Sequence, residues 1–273
     1  MARPMWMIKF LMKTFPKRNG IAKMTRCPLV GRLVDAMLFD GDDIIYLAKD
    51  EVVEVLVGKS FDAPERAVLP SQVVEHFIDA SSHRWIMNWC ICRKSSRCKD
   101  YPVDLGCLFL GEASKNIDPR LGRPATKEEA KEHIRRCREA GLVQMVGKNK
   151  LDAVWLDVSP GERLLSICSC CPCCCLWKIL PELSGKISSK VTRMPGLQVS
   201  VSERCTGCGT CSKGICFVDA IRLEGEKAKI SEECRGCGRC VAACPSRAID
   251  LTVSDMDFVE KSIARISSSV DVA

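Results

Sequence analysis

The sequence predicts an α+β protein in two unequal parts, a cysteine-rich α+β domain followed by a small domain with pseudo-twofold symmetry. Three observations predict this. CTGCGTCSKGIC from Cys205 and CRGCGRCVAACP from Cys234 are similar stretches at an offset of 28 to 29 residues, so the segment 197–253 divides into halves. Ten further cysteines crowd into two groups, Cys90 to Cys107 and Cys168 to Cys175, on either side of a region where strand-like and helix-like periodicities alternate. The chain has 273 residues, 47% of them hydrophobic, enough for one large or two modest cores.

In chain order, residues 1–34 read as a basic amphipathic arm. They hold eight Lys or Arg and no acid, so the net charge of +7 lies entirely there. MWMIKFLMKTF sets Lys9 and Lys13 one helical turn apart among Met5, Trp6, Ile8, Phe10, Leu11, Met12 and Phe15. A spanning helix needs about 20 apolar residues, which this segment lacks. Such a segment suits a membrane interface, the protein's own body, or a partner subunit.

Residues 35–183 form the cysteine-rich domain. IIYLAKDEVVEVLVG reads as strand material and FDAPERAVLP as a connector. From Ser71 the apolar positions Val73, Val74, Phe77 and Ile78 mark a helix packed on one face, with His76 as a surface residue. Thr126 and Glu129 form a capping box; Ala130, Ile134 and Cys137 face one way, and Gly141 ends that helix. LVQMVG and LDAVWLDV then read as strands of a hairpin, which brings the cysteine groups on either side together. Residues 184–196 read as a linker, and 254–273 as a C-terminal helix or tail. In the segment 197–253, IRLEGEKAKI reads as a hairpin turning at Gly225.

The chemistry lies in the cysteines. A C-x2-C-x2-C run puts three thiolates in one tight turn, at the spacing of three iron corners of a cubane. The glycines at 207, 209, 236 and 238 suit loops that need positive φ and aim backbone N–H groups at sulfur. Structural zinc also uses CxxC pairs but has no use for a third cysteine in each run. The second run ends in Cys244-Pro245. The first has one more residue before Cys216, and Phe217 in place of proline, yet Ala220-Ile221 follows Cys216 at the offset at which Ala248-Ile249 follows Cys244. The segment 197–253 therefore resembles a bacterial-type 2x(4Fe-4S) ferredoxin domain. That resemblance implies a small ferredoxin-like two-cluster fold and low-potential one-electron transfer. In this family the fourth cysteine of each run serves the other cluster. It thus implies Cys205, Cys208, Cys211 and Cys244 for one 4Fe-4S cluster, and Cys234, Cys237, Cys240 and Cys216 for the second.

Ten of the other twelve cysteines lie in WCICRKSSRCKDYPVDLGC and ICSCCPCCC. Thiolates gathered so densely repel one another unless a metal neutralises them. Soft sulfur favours iron–sulfur clusters, zinc or cuprous ion, with a third iron–sulfur cluster the first choice and zinc the lesser. Cys27 and Cys137 read as isolated buried thiols. The order CxCR, GRPATKEEA…EAGLV, ICxCCxCCC also resembles a family of poorly characterised 4Fe-4S proteins of anaerobes that carry a C-terminal ferredoxin domain. That resemblance runs from about Leu69 onward. It implies a third site drawn from Cys90, Cys92, Cys98, Cys107, Cys168, Cys170, Cys171, Cys173 and Cys174.

The function expected is an iron–sulfur electron-transfer protein relaying electrons between two 4Fe-4S clusters and a third metal centre, with a redox partner protein. An alternative is a ferredoxin-wired reductase with its catalytic site at the N-terminal cysteines, where Arg93 and Lys94 would lower a thiol pKa. A minor alternative, a redox sensor with a winged-helix-like element, rests on Arg135, Arg136 and Arg138. The interleaved Glu128, Glu129, Glu132 and Glu139 oppose phosphate binding, so no nucleic acid is expected. No nucleotide-binding glycine loop or flavin fingerprint is visible. CxxC clustering without a signal peptide argues for a reducing cytoplasm, of an anaerobe, with the arm at the inner face of the membrane one option.

Overall fold

The computed structural model describes residues 4–55 and 69–273. The strand reading of residues 56–58 and most of the FDAPERAVLP connector lie outside the described residues.

Among the described residues there are twelve strands: β1 (Asp43–Tyr46), β2 (Glu54–Val55), β3 (Arg84–Met87), β4 (Leu108–Leu110), β5 (Gly122–Pro124), β6 (Val143–Lys148), β7 (Leu165–Cys170), β8 (Val191–Arg193), β9 (Leu197–Val201), β10 (Ile221–Glu224), β11 (Lys227–Ile230) and β12 (Ile249–Val253). Seven of them form one sheet in the order β5-β3-β4-β7-β6-β1-β8, antiparallel except for β1 and β8. The fold is α+β.

Alternation along these strands sorts side chains onto two faces. Ile45, Ile86, Leu108, Val146 and Ile167 point to one face. There they pack with Val73, Val74, Phe77 and Ile78 of the helix Ser71–Ala80, Ala130 and Ile134 of the helix Lys127–Glu139, and Phe258 and Ile266 of the C-terminal helix Phe258–Ser267. His76 is exposed, as expected. The capping box is made in full: Thr126 Oγ1 accepts from Glu129 N–H and Glu129 accepts from Thr126 N–H. The other face carries Ile44, Tyr46, Val143 and Met145 under one cluster, and Trp85, Met87 and Phe109 under another. This second face holds the cysteines.

Three expectations are corrected. LDAVWLDV is a helix, Lys150–Leu156, rather than a strand. Asp152 accepts from Asn149 Nδ2 at 2.7 Å and from Trp155 Nε1 at 2.8 Å, an i, i+3 arrangement that fixes the turn, and Asp157 ends it in the left-handed conformation. β6 pairs with β7 and β1 rather than with residues 151–158, so the hairpin of the winged-helix-like element is not formed. Arg135 is also tied up by Glu132 and Glu139 on its own helix. The stretch 184–196 is not a free linker: it holds the helix Gly185–Ser188 and contributes β8 to the large sheet beside β1. Cys27 is exposed, at the start of the helix Pro28–Val34, where no element covers it; Cys137 is buried.

The segment 197–253 folds around β9 paired antiparallel with β12, and the hairpin β10–β11 turning at Gly225. β2 adds parallel to β12, so the first part of the chain extends the small sheet of the second. Leu197, Leu251 and Val253 join the main core. The arm is the helix Met5–Thr14 followed by the helix Arg18–Met24. Ile8 is buried against Trp85, Met87 and Trp155, while Trp6, Phe10, Ile21 and Met24 remain exposed.

Candidate metal centres

In the C-terminal segment the two halves place equivalent groups alike. Gly207 and Gly236 both have φ +66, and Asp219 and Arg247, each three residues after a fourth cysteine, also have positive φ. Ala220 N–H donates to Cys216 Sγ and Ala248 N–H to Cys244 Sγ, both at 3.3 Å. Ser231 N–H binds Ala220 O and Ser202 N–H binds Ala248 O, both at 2.8 Å. Further N–H groups reach sulfur from Ala228 to Cys205 and from Gly236 to Cys234. A Cβ on Gly207 would stand 2.5 Å from Glu226 O, so this loop admits only glycine there.

Burial first, then the charges of Cys244, Cys205 and Cys208, push the Cys211 thiol up. Burial leads for Cys240 as well, followed by Cys237, Cys234, Cys216 and Cys211. Cys211 and Cys240 thus each lie among cysteines of both runs. Their mutual repulsion is the electrostatic signature of a site that wants a cation. Residues 197–249 match the 4Fe-4S dicluster domain. The segment is therefore a 4Fe-4S ferredoxin-type domain, iron–sulfur and metal-binding in character. No curated protein and no solved structure matches the chain. Among the described residues no helix is long and apolar enough to cross a membrane.

The ten N-terminal cysteines separate into two groups. Cys168 and Cys170 alternate on β7 and face the same way as their β6 partners Met145 and Val143. Cys107, just before β4, meets Cys168 Sγ to Sγ at 3.4 Å across 61 residues of sequence. Cys90 precedes the short helix Ile91–Ser95 and Cys92 lies within it. With Cys175 they line a cavity of about 230 Å³ on the second face, bordered also by Leu11, Phe15, Arg18 and Ile21 of the arm. Thus five of the nine predicted residues, Cys90, Cys92, Cys107, Cys168 and Cys170, share one chamber. Cys175 completes six thiols.

The remaining four, Cys98, Cys171, Cys173 and Cys174, gather elsewhere, with all four Sγ atoms within 4.8 Å of one another. They lie beyond the end of β7, packed with Leu105, Cys137, Leu142 and Tyr101. Cys171 also touches the chamber wall.

Arg93 stands between the groups and is fully buried. Its guanidinium donates to Ser169 O at 2.8 Å and to Leu105 O, while Nε has no partner among the described residues. Burial opposes its charge, and the charges that favour it are those of Cys90, Cys107, Cys171 and Cys170, with no carboxylate among them. A buried cation needs a compensating anion. Here the leading favourable contributions come from cysteine sulfur. The thiols respond unequally: a hydrogen bond from Cys92 leads in lowering the Cys90 thiol to about 6, and Cys92 itself is pushed well above its ordinary range.

A packed path joins the chamber to the ferredoxin-type segment. Phe217, next to Cys216, lies against Tyr46 with ring centroids 4.5 Å apart and the rings tilted by 32°, and Tyr46 Oη lies 3.6 Å from Cys175 Sγ. Arg239, between Cys237 and Cys240, donates to Cys170 O and, at 3.4 Å, to Gly141 O. Cys175, Tyr46 and Arg239 were missed as site residues in sequence. Cys175 closes the same cysteine run, and Phe217 was visible as a departure from proline; Tyr46 and Arg239 gave no local signal.

Proposed function

We propose that the protein transfers single low-potential electrons in the cytoplasm of an anaerobe. Its two 4Fe-4S clusters would be held by Cys205, Cys208, Cys211 and Cys244, and by Cys234, Cys237, Cys240 and Cys216. The two halves then act as pseudo-twofold repeats. A third iron–sulfur centre would occupy the six-thiol chamber. Bound there, such clusters supply one-electron chemistry. The observation that carries the reading is the path Cys216–Phe217–Tyr46–Cys175, which links the second ferredoxin set to the chamber through side chains in contact.

The chain's own residues divide the work. Backbone N–H groups at Ala220 and Ala248 hold thiolate charge, Arg93 balances the chamber, and the arm excludes water from it. Cys208 is exposed, so the first set faces the solvent and a redox partner protein. The exposed Trp6, Phe10, Ile21 and Met24, interleaved with Lys9, Lys13, Lys17 and Lys23, suit contact with an anionic membrane surface. Reduction followed by rapid freezing tests the path. Phe217→Ala should slow appearance of the chamber's EPR signal at least tenfold while both C-terminal signals form normally; unchanged kinetics would remove Tyr46 and Phe217 from the route.

A second reading, a ferredoxin-wired reductase with its catalytic site in the chamber, is favoured by one observation. The cavity has an apolar wall beside the low-pKa Cys90. A substrate there would displace the arm's Leu11 and Phe15.

A further inference from the structure

Cys98, Cys171, Cys173 and Cys174 gather beside the chamber, whose wall Cys171 also touches, and their spacing differs in kind. Four thiolates about 2.3 Å from one zinc ion stand about 3.8 Å apart at tetrahedral corners. The observed group, all within 4.8 Å with Cys98 and Cys173 at 3.6 Å, matches that size before any metal is added. A cubane holds its thiolates outside four iron corners and needs them further apart. Consistently, neither ferredoxin set meets the same 4.8 Å criterion.

The backbone is arranged for thiolates as well. The N–H groups of Asp100 and Tyr101 reach Cys98 Sγ, and Cys171 Sγ accepts from Cys174 N–H at 3.3 Å. These are turns in which a cysteine is followed by amides pointing back at its sulfur. No carboxylate or imidazole belongs to the group. Four soft donors this close together suit zinc over harder ions.

We infer that Cys98, Cys171, Cys173 and Cys174 bind a single zinc ion that clamps the two walls of the chamber together. The clamp follows from chain order. Cys98 lies between Cys92 and Cys107 on one wall, and the 171–174 turn lies between Cys170 and Cys175 on the other. One metal bridging 75 residues of sequence fixes both. Zinc neither gains nor loses electrons here, so the site is separate from the proposed redox path, and its test reads zinc rather than iron.

The full chain, purified anaerobically, should contain one zinc per chain, with an X-ray absorption edge fitting four sulfurs at about 2.3 Å. Cys98→Ser with Cys173→Ser should lose that zinc and keep both C-terminal EPR signals, which reports that the variant is folded. Cys27→Ser, at an exposed thiol outside the group, should keep the zinc. Zinc retained in the double variant, a sulfur-poor zinc shell, or loss of iron in place of zinc would each overturn the inference.

Discussion

The two cysteine-rich regions use the same ligand atom and gather it by opposite means. In the segment 197–253, three thiols of each proposed set come from one loop, and only the proposed fourth comes from the other half. In the N-terminal part, sulfur atoms in contact come from residues 61 and 75 apart, brought together by the neighbouring strands β4 and β7 and by the turn after β7. Local gathering makes a site that tolerates little change in its own loop but depends weakly on the rest of the fold. Gathering by the sheet does the reverse: the loops are free to vary, and the site depends on the tertiary core and on a buried counter-charge.

Arg93→Met probes that difference most strongly. If the surrounding sulfurs were neutral thiols, an unpaired buried cation would cost stability and the variant would melt higher. With thiolates bound to metal, removing the cation should lower the melting temperature and abolish the chamber's signal, leaving the C-terminal clusters intact. Thermal melts and EPR on one preparation read both.

Gly207→Ala is the local counterpart. A Cβ there collides with Glu226 O in a left-handed backbone. The expected result is loss of one C-terminal cluster, about four iron atoms, with zinc unchanged. Loss of metal from the N-terminal part as well would show that the two regions are not independent.

The smallest effect should come from Asp42, which accepts from Lys150 N–H at 2.7 Å and whose carboxyl burial pushes up to about 8. A carboxyl whose pKa rises on folding holds its proton more tightly in the folded chain, so stability falls as pH climbs from about 4 to about 8. Asp42→Asn should therefore gain on the parent across that interval and run parallel to it above. Iron and zinc should not change in either region. Denaturant midpoints at several pH values read this directly.

The same contrast explains what could be read from sequence. Three cysteines at spacing three, the glycines at 207, 209, 236 and 238, and the hairpin at Gly225 are short-range patterns whose geometry follows from local backbone rules. The capping box at Thr126 and Glu129 was legible for the same reason. The split of the N-terminal cysteines was not, because it depends on β4 pairing with β7 and on which face Cys168 and Cys170 take. The helix Lys150–Leu156 escaped because its apolar run suits strand or helix equally. The Asp152 bonds that decide it involve side chains at positions 149 and 155. Arg93 was read as a neighbour that lowers thiol pKa; its complete burial follows only from the sheet above it.

The central claim is that the N-terminal chamber holds an iron–sulfur centre in addition to the two of the ferredoxin-type domain. The most direct test is the iron and acid-labile sulfide content per chain after anaerobic purification, with EPR on the dithionite-reduced protein. The account predicts about twelve iron atoms or more and a third signal, whereas about eight iron atoms, the complement of two 4Fe-4S clusters, with no further signal would contradict it.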